Sequence, residues 1–337
     1  MTGRSIVCSA LLLSALILAP AARAQWVNVT SDVGGEKWGY AGVCLVVAVP
    51  GSPAVIAGVS EAGLWRSDDQ GKSWHKLGAD DKEQVRHRPH QVVFDPKNPH
   101  RFWVSGCYGP APFVTADAGK TFRRLGTLTH ADGIGIDFTD PERKTLVIGL
   151  HEQARSVHRS ADGGATWQKV GDALPADSNH STDPIVLDAK TYIVNTAGWA
   201  PKKTWGTYRT EDAGATWAKV ADFGCSGRAL VAADGAIYWT ITYGNGIVKS
   251  ADHGKTWEKL PGPARSGPLE LDAGRITALA GQQLHVTADG GKTWEKLADP
   301  LPFKPNGVAF NPTTKSLYAW RRADKKVPDA IVRWDLK

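Results

Sequence analysis

An eight-residue box, Ser/Thr-x-Asp-x-Gly-x-Thr/Ser-aromatic, occurs six times and constrains this chain more than any other feature. It runs Ser67 to Trp74, Thr115 to Phe122, Ser160 to Trp167, Thr210 to Trp217, Ser250 to Trp257 and Thr287 to Trp294. The central aspartates are Asp69, Asp117, Asp162, Asp212, Asp252 and Asp289, spaced by 48, 45, 50, 40 and 37 residues. Such residues make turns. Asp accepts hydrogen bonds from backbone N–H groups a few residues on, and Gly supplies the positive φ of a tight reversal. The terminal aromatic packs as the next strand begins. Each box therefore closes a β-hairpin, and these aspartates are read as structural.

A repeat of about 45 residues carrying four short strands is the signature of a propeller blade. In one repeat the strands are expected at Ala229 to Val231, Ala236 to Thr242, Gly246 to Lys249 and Trp257 to Leu260, with the box between the third and fourth. Six boxes give six blades, and the ends give a seventh. Gly307 to Asn311, Ser316 to Trp320 and Ala330 to Trp334 supply three strands. Gln25 to Val29 resembles the strands that follow the boxes and would supply the fourth. The expected fold is all-β: a single seven-bladed propeller over residues 25–337, its ring closed by the N-terminal strand. Gly 36 and Pro 20, spread along 337 residues, exclude a mainly helical protein. With 42% hydrophobic residues the chain can bury a core, which excludes disorder.

Residues 1–24 read as a secretory signal: Arg4, an apolar run from Ile6 to Leu18, and Ala22-Arg23-Ala24 before Gln25. A periplasmic or secreted monomer without a membrane span is expected. The formal charge is +6, or +4 once the signal is removed, which permits an anionic partner without requiring one. The remaining cysteines, Cys44, Cys107 and Cys225, are odd in number and read as small buried apolar side chains.

Loops between blades, and between the second and third strands of a blade, build one face of a propeller. Among these loops fall Gly78 to His90, Gly106 to Pro112, Gly126 to Asp132, Leu150 to Ser156 and Thr196 to Thr207. They bring Glu61, Glu152 and His151 as candidate catalytic groups. Arg88, His90, Tyr108, Asp132, Arg155, Trp199, Trp205, Arg228 and Tyr243 are candidate substrate contacts. Aromatic faces stack on sugar rings, and guanidinium groups pair with carboxylate or sulfate. The ligand expected is a carbohydrate, including an anionic one, or alternatively a protein; no nucleic acid is expected. Glu61, Asp132, Glu152 and Asp183 come from four neighbouring blades, and two of them could act as acid and base on a glycosidic bond. Alternatively a His or Tyr removes a proton from a uronate while Arg neutralises its carboxylate. His87-Arg88-Pro89-His90 places two imidazoles together, but without a third ligand no metal is assigned and no cofactor is expected. His151-Glu152 begins like a zinc-protease motif, but Arg155 stands where the second His is needed.

The boxes resemble those of the Asp-box (BNR-repeat) proteins across the region that follows the signal. That superfamily includes sialidases, xyloglucan-active endoglucanases, sortilin-type receptors and photosystem II stability/assembly factors. The sialidase motif Phe/Tyr-Arg-Ile-Pro is missing before Ser67. The run from Gly34-Gly35 through Val43 to Val49, Val55 to Val59, Ser60-Glu61-Ala62-Gly63 and Trp74 to Leu77 is similar in layout to the first blade of the xyloglucanases. That resemblance puts Glu61 where those enzymes carry a catalytic aspartate; they also carry a second propeller with the partner carboxylate. The resemblance to the assembly factors, single exported seven-bladed propellers of about this size, implies a non-enzymatic periplasmic partner-binding role.

Overall fold

The computed structural model describes residues 25–35, 38–78, 87–178, 183–197, 201–322 and 330–336. The signal reading at 1–24 and the candidate Trp199 lie outside these residues. Within them the chain is almost entirely short antiparallel strands, with two single-turn 3-10 helices at Lys202–Thr204 and Thr242–Gly244. No helix among the described residues is long and apolar enough to cross a membrane.

The strands form successive four-stranded meanders. Val43–Ala48, Val55–Val59, Gly63–Ser67 and His75–Lys76 pair in sequence order. Ile185–Val186 to Ala218–Ala221, Cys225–Val231 to Glu258–Lys259, and Ser266–Asp272 to Glu295–Lys296 do the same. At the ends, Gly307–Asn311, Ser316–Trp320 and Ile331–Asp335 are completed by Val27–Asn28, with Val27 opposite Arg333 and Asn28 opposite Val332.

Two consecutive meanders, Arg88–Asp95 to Arg123–Arg124 and Thr129–Ile136 to Gln168–Lys169, depart from the expected pattern. They fuse into one eight-stranded sheet because Thr129 pairs with Pro110 and Ala131 with Gly106. This corrects the loop assignments: Gly106 to Pro110 and Thr129 to Asp132 are strand, and Arg88 and His90 open a strand instead of closing a loop. Backbone pairing with Thr129 and Ala131 overrides the Gly- and Pro-rich composition of Gly106 to Pro110.

The apolar cores lie between neighbouring sheets. Leu45, Ile56 and Leu77 pack with Val92, Phe102 and Phe113, and Trp103 and Leu125 with Ile134 and Leu146. The chain's two ends share a core in which Val29, Val43 and Trp74 meet Tyr318, Ala330 and Ile331.

Each box makes the same bonds. In the fifth, Ser250 Oγ donates to Asp252 Oδ1 at 2.8 Å, and the Gly254 N–H returns to Ser250 Oγ at 2.8 Å. The Thr256 N–H donates to Asp252 Oδ1 at 2.9 Å and its hydroxyl to Oδ2 at 2.6 Å. The turn is thus held by both carboxylate oxygens. The box also grips the sheet before it: Trp167 Nε1 donates to Leu125 O at 3.1 Å, Trp217 Nε1 to Val170 O at 2.8 Å and Trp74 Nε1 to Val29 O at 3.1 Å. The box glycine lies against the same residues. At Gly71, with φ +90°, a methyl group would stand 2.7 Å from Val29 Cβ. Gly71→Ala should therefore cost about 2 kcal/mol, from the positive φ and the overpacking together. Urea unfolding measures it, and an unchanged midpoint would mean that Val29 is not clamped.

The thresholds for acid follow from the same bonds. The Thr166, Thr216 and Thr256 hydroxyls, then their N–H groups, hold Asp162, Asp212 and Asp252 down to about 2. The unfolded carboxyl titrates near 3.9, so folding favours the ionised form. The stabilisation is complete above about pH 4 and is lost as pH falls toward 2. Urea midpoints should drop across that window, and less steeply in an Asp252→Asn, Asp212→Asn double variant. A wild-type midpoint independent of pH there would contradict the bonding.

Candidate functional site

In three meanders the second strand is followed by a bend in left-handed backbone. Glu61 and Glu152 lie two residues past Val59 and Leu150, and Tyr243 two past Ile241; their φ values are 63°, 52° and 66°. Tyr108, at φ 56°, bends near the end of its own long strand. Left-handed backbone at four non-glycine residues costs about 1 kcal/mol or more each.

Three of these bends converge. His151 Nδ1 donates to Asp132 Oδ2 at 2.7 Å, which leaves Nε2 to accept from the Tyr108 hydroxyl at 2.9 Å. Glu152 Oε1 stands 3.5 Å from the same Nε2. The hydrogen bond to Asp132 raises the proton affinity of His151, while burial pushes the Tyr108 phenol up. Tyr108 remains 41% exposed.

Asp132, itself buried, is the hub. Cys107 Sγ donates to its Oδ1, and Ser105 Oγ and His90 Nδ1 both donate to its backbone oxygen, at 2.5 and 2.6 Å. On the other side of Tyr108, Arg88 Nη1 donates to the Tyr40 hydroxyl at 3.3 Å, and its guanidinium lies 5.9 Å from the Tyr108 ring centre. The rings of Tyr40 and Tyr108 are 6.5 Å apart. Glu61 joins through His87, whose Nδ1 is 3.4 Å from Glu61 Oε1 and whose carbonyl accepts the Glu61 N–H at 3.0 Å. Deeper in, Arg228 reaches from Cys225–Val231 to Val92 O at 3.3 Å on a strand 136 residues earlier. Asp183 is influenced by His90, Asp132 and Arg228, and burial raises its carboxyl.

The geometry thus brings Glu61, Arg88, His90, Tyr108, Asp132, His151 and Glu152 together. Trp205 and Tyr243 form a separate pair with rings 6.0 Å apart. Arg155 turns away: its backbone N–H binds Ser178 O, and its charge acts on Asp172. Sequence reasoning missed Cys107, read only as buried apolar filling, and the contact of Tyr40 with Arg88. The one signal for Cys107 was its place beside Tyr108.

The six boxes and the four-stranded meanders resemble those of Asp-box repeat proteins of the propeller type. The family model described as Sortilin, neurotensin receptor 3, matches residues 62–191. A xyloglucanase of Paenibacillus sp is 25% identical over 215 residues, which is 59% of this chain and 18% of that protein. The chain therefore spans less than a fifth of that relative's length. Among solved structures, YCF48 bound to D1 peptide is similar with TM-score 0.59 and 17% identity, over 95% of this chain and 99% of that one. The GH74 enzyme of Niastella koreensis is similar with TM-score 0.64 and 17% identity, over 91% of this chain and 53% of that one.

If Asp132 fixes the His151 tautomer, the Nδ1 proton should give a downfield, slowly exchanging NMR resonance. Asp132→Asn should remove it while Tyr108→Phe leaves it in place. Its survival in Asp132→Asn would place the proton elsewhere.

Proposed function

We propose that this protein is an exported seven-bladed Asp-box propeller that binds an acidic carbohydrate at the mouth of its channel and cleaves it by β-elimination. The hydrogen-bonded series Asp132–His151–Tyr108 beside Arg88 carries this reading. The seven blades are supported by apolar clusters shared between consecutive meanders, and ring closure by the pairing of Val27–Asn28 with Ile331–Asp335. Export rests on the sequence of residues 1–24.

In this mechanism Arg88 pairs with a uronate carboxylate and makes the neighbouring carbon acidic. The Tyr108 oxygen takes that carbon's proton as its own passes to His151 Nε2, and Asp132 stabilises the imidazolium. The electron pair forms a carbon–carbon double bond as the glycosidic carbon–oxygen bond breaks. The departing oxygen receives a proton back through Tyr108. Tyr40 and Tyr108 offer ring faces to the sugars. Hydrolysis by Glu61 and Glu152 is supported less well. Their side chains are 54% and 50% exposed, whereas an acid kept protonated near neutral pH needs dry surroundings.

The second reading is a partner-binding role at the same mouth. It is favoured by the correspondence of nearly the whole chain with YCF48 bound to D1 peptide.

The test is incubation with uronate-containing polysaccharides and with neutral xyloglucan, following ultraviolet absorbance of unsaturated ends and new reducing ends together. Elimination gives both signals, and Tyr108→Phe should lower turnover by at least about a hundredfold. Reducing ends without absorbance, abolished by Glu61→Gln, would replace elimination with hydrolysis. No cleavage of any glycan, with peptide capture lost in Arg88→Ala, would establish the second reading.

A further inference from the structure

We propose that His90, Cys107 and Asp132 form a binding site for one divalent transition-metal ion, best suited to zinc, at the inner end of the mouth. A ring nitrogen of His90, the Cys107 sulfur and a carboxylate oxygen of Asp132 all lie within 4.8 Å of one another. Donors about 2.0–2.3 Å from a tetrahedral zinc stand about 3.3–3.8 Å apart. Cys107 Sγ and Asp132 Oδ1 already share a hydrogen bond, so they draw apart to admit an ion in place of that proton while the His90 ring adjusts. Nitrogen, sulfur and oxygen together are a borderline-soft set, which suits zinc and disfavours magnesium or calcium.

The surroundings favour the assignment independently of the donors. Cys107 and Asp132 are 2% and 4% exposed, which shields the sulfur, while the His90 side chain keeps about a third of its surface. Asp132 presents Oδ1 toward Cys107 and His90, and its other oxygen is held by His151 Nδ1 at 2.7 Å. A ligand carboxylate fixed through its second oxygen is a recurrent support of metal sites. Its backbone is pinned too, by Ser105 and His90 at Asp132 O. The donors come from three strand segments, Arg88–Asp95, Asn98–Pro110 and Thr129–Ile136, which the fused eight-stranded sheet holds in register. Three protein donors leave a fourth tetrahedral position for water or a ligand oxygen.

The site stands whether the mouth takes a glycan or a protein, and its test does not read activity. Tag-free full-length protein, reduced and stripped with chelator, is titrated with cobalt(II), then with zinc(II). The expected result is about one ion per chain, a near-ultraviolet thiolate-to-cobalt band that zinc removes, and a higher melting temperature with zinc. Cys107→Ser should abolish the band and His90→Ala should weaken cobalt binding at least about tenfold. Cys225→Ser, which alters a buried cysteine in another sheet, should keep both. Should Cys107→Ser fail to fold, loss of the band in Asp132→Asn supports the site equally. Wild-type protein without the band, or a band that persists in Cys107→Ser, overturns the proposal.

Discussion

The structure depends on how each box grips the sheet before it. A turn held by two carboxylate oxygens would stabilise only its own hairpin. Five of the six boxes do more, because their glycines lie on an apolar residue that directly follows the preceding outer strand; in the fifth, Gly254 meets Ile193 instead. Leu77, Leu125, Val170 and Leu260 hold that place under Gly119, Gly164, Gly214 and Gly291, and Val29 holds it under Gly71. Sheets with their cores between them gain stability only when neighbours stay in contact, so this contact sets the spacing of the whole array. Val29 directly follows the chain's first strand, Val27–Asn28, which takes the place that a fourth strand takes elsewhere. The last meander, which has no box between Ile331–Asp335 and Val27–Asn28, is held by the first box of the next sheet.

That arrangement leaves the opposite ends of the strands free for chemistry. The bends at Glu61, Glu152 and Tyr243 occupy equivalent places after the second strand, and each is in left-handed backbone. Residues stored there at a conformational cost sit on rigid strand ends and not on long loops, which favours fixed geometry over adaptability. The fused sheet sharpens this. Pairing of Ala131 with Gly106 places Asp132 beside Cys107, so that its carboxylate organises His151 and Cys107 while its backbone oxygen holds the His90 ring.

The repeat made most of the architecture legible. A fixed spacing of boxes, with turn residues whose bonding is local, leaves little for long-range effects to alter. Strands such as Cys225–Val231 and Ile237–Ile241 fall within a few residues of their expected places. The fusion at Gly106 to Pro110 was not legible, because a strand end rich in Gly and Pro looks like a loop until it pairs with Thr129 to Ala131. The site was half legible for the same reason. Loop membership grouped Glu61, His151 and Glu152 by their place in the repeat. The partners of Asp132, by contrast, depend on side-chain directions across two meanders. Arg155, four residues after His151, was expected at the mouth, but its bend at φ 51° sends it toward Asp172.

The charge balance at the mouth bears on what it can hold. Its acids outnumber its arginines, which by count alone would favour a cation. Their positions limit that conclusion. Asp132 holds His151 with one oxygen and Cys107 with the other, and burial pushes the Asp183 carboxyl up, which disfavours its charge. Glu61 and Glu152 are on the solvated rim, where water and salt screen them. Arg88 is half-buried, and its hydrogen-bond partner is the neutral phenol of Tyr40. A guanidinium so placed holds the least compensated charge beside the Tyr108 hydroxyl. An anion arriving there replaces a weak bond with a charge-assisted pair. The rim of the mouth therefore favours a negatively charged group close to Tyr108, while a metal ion is confined to the inner donors His90, Cys107 and Asp132.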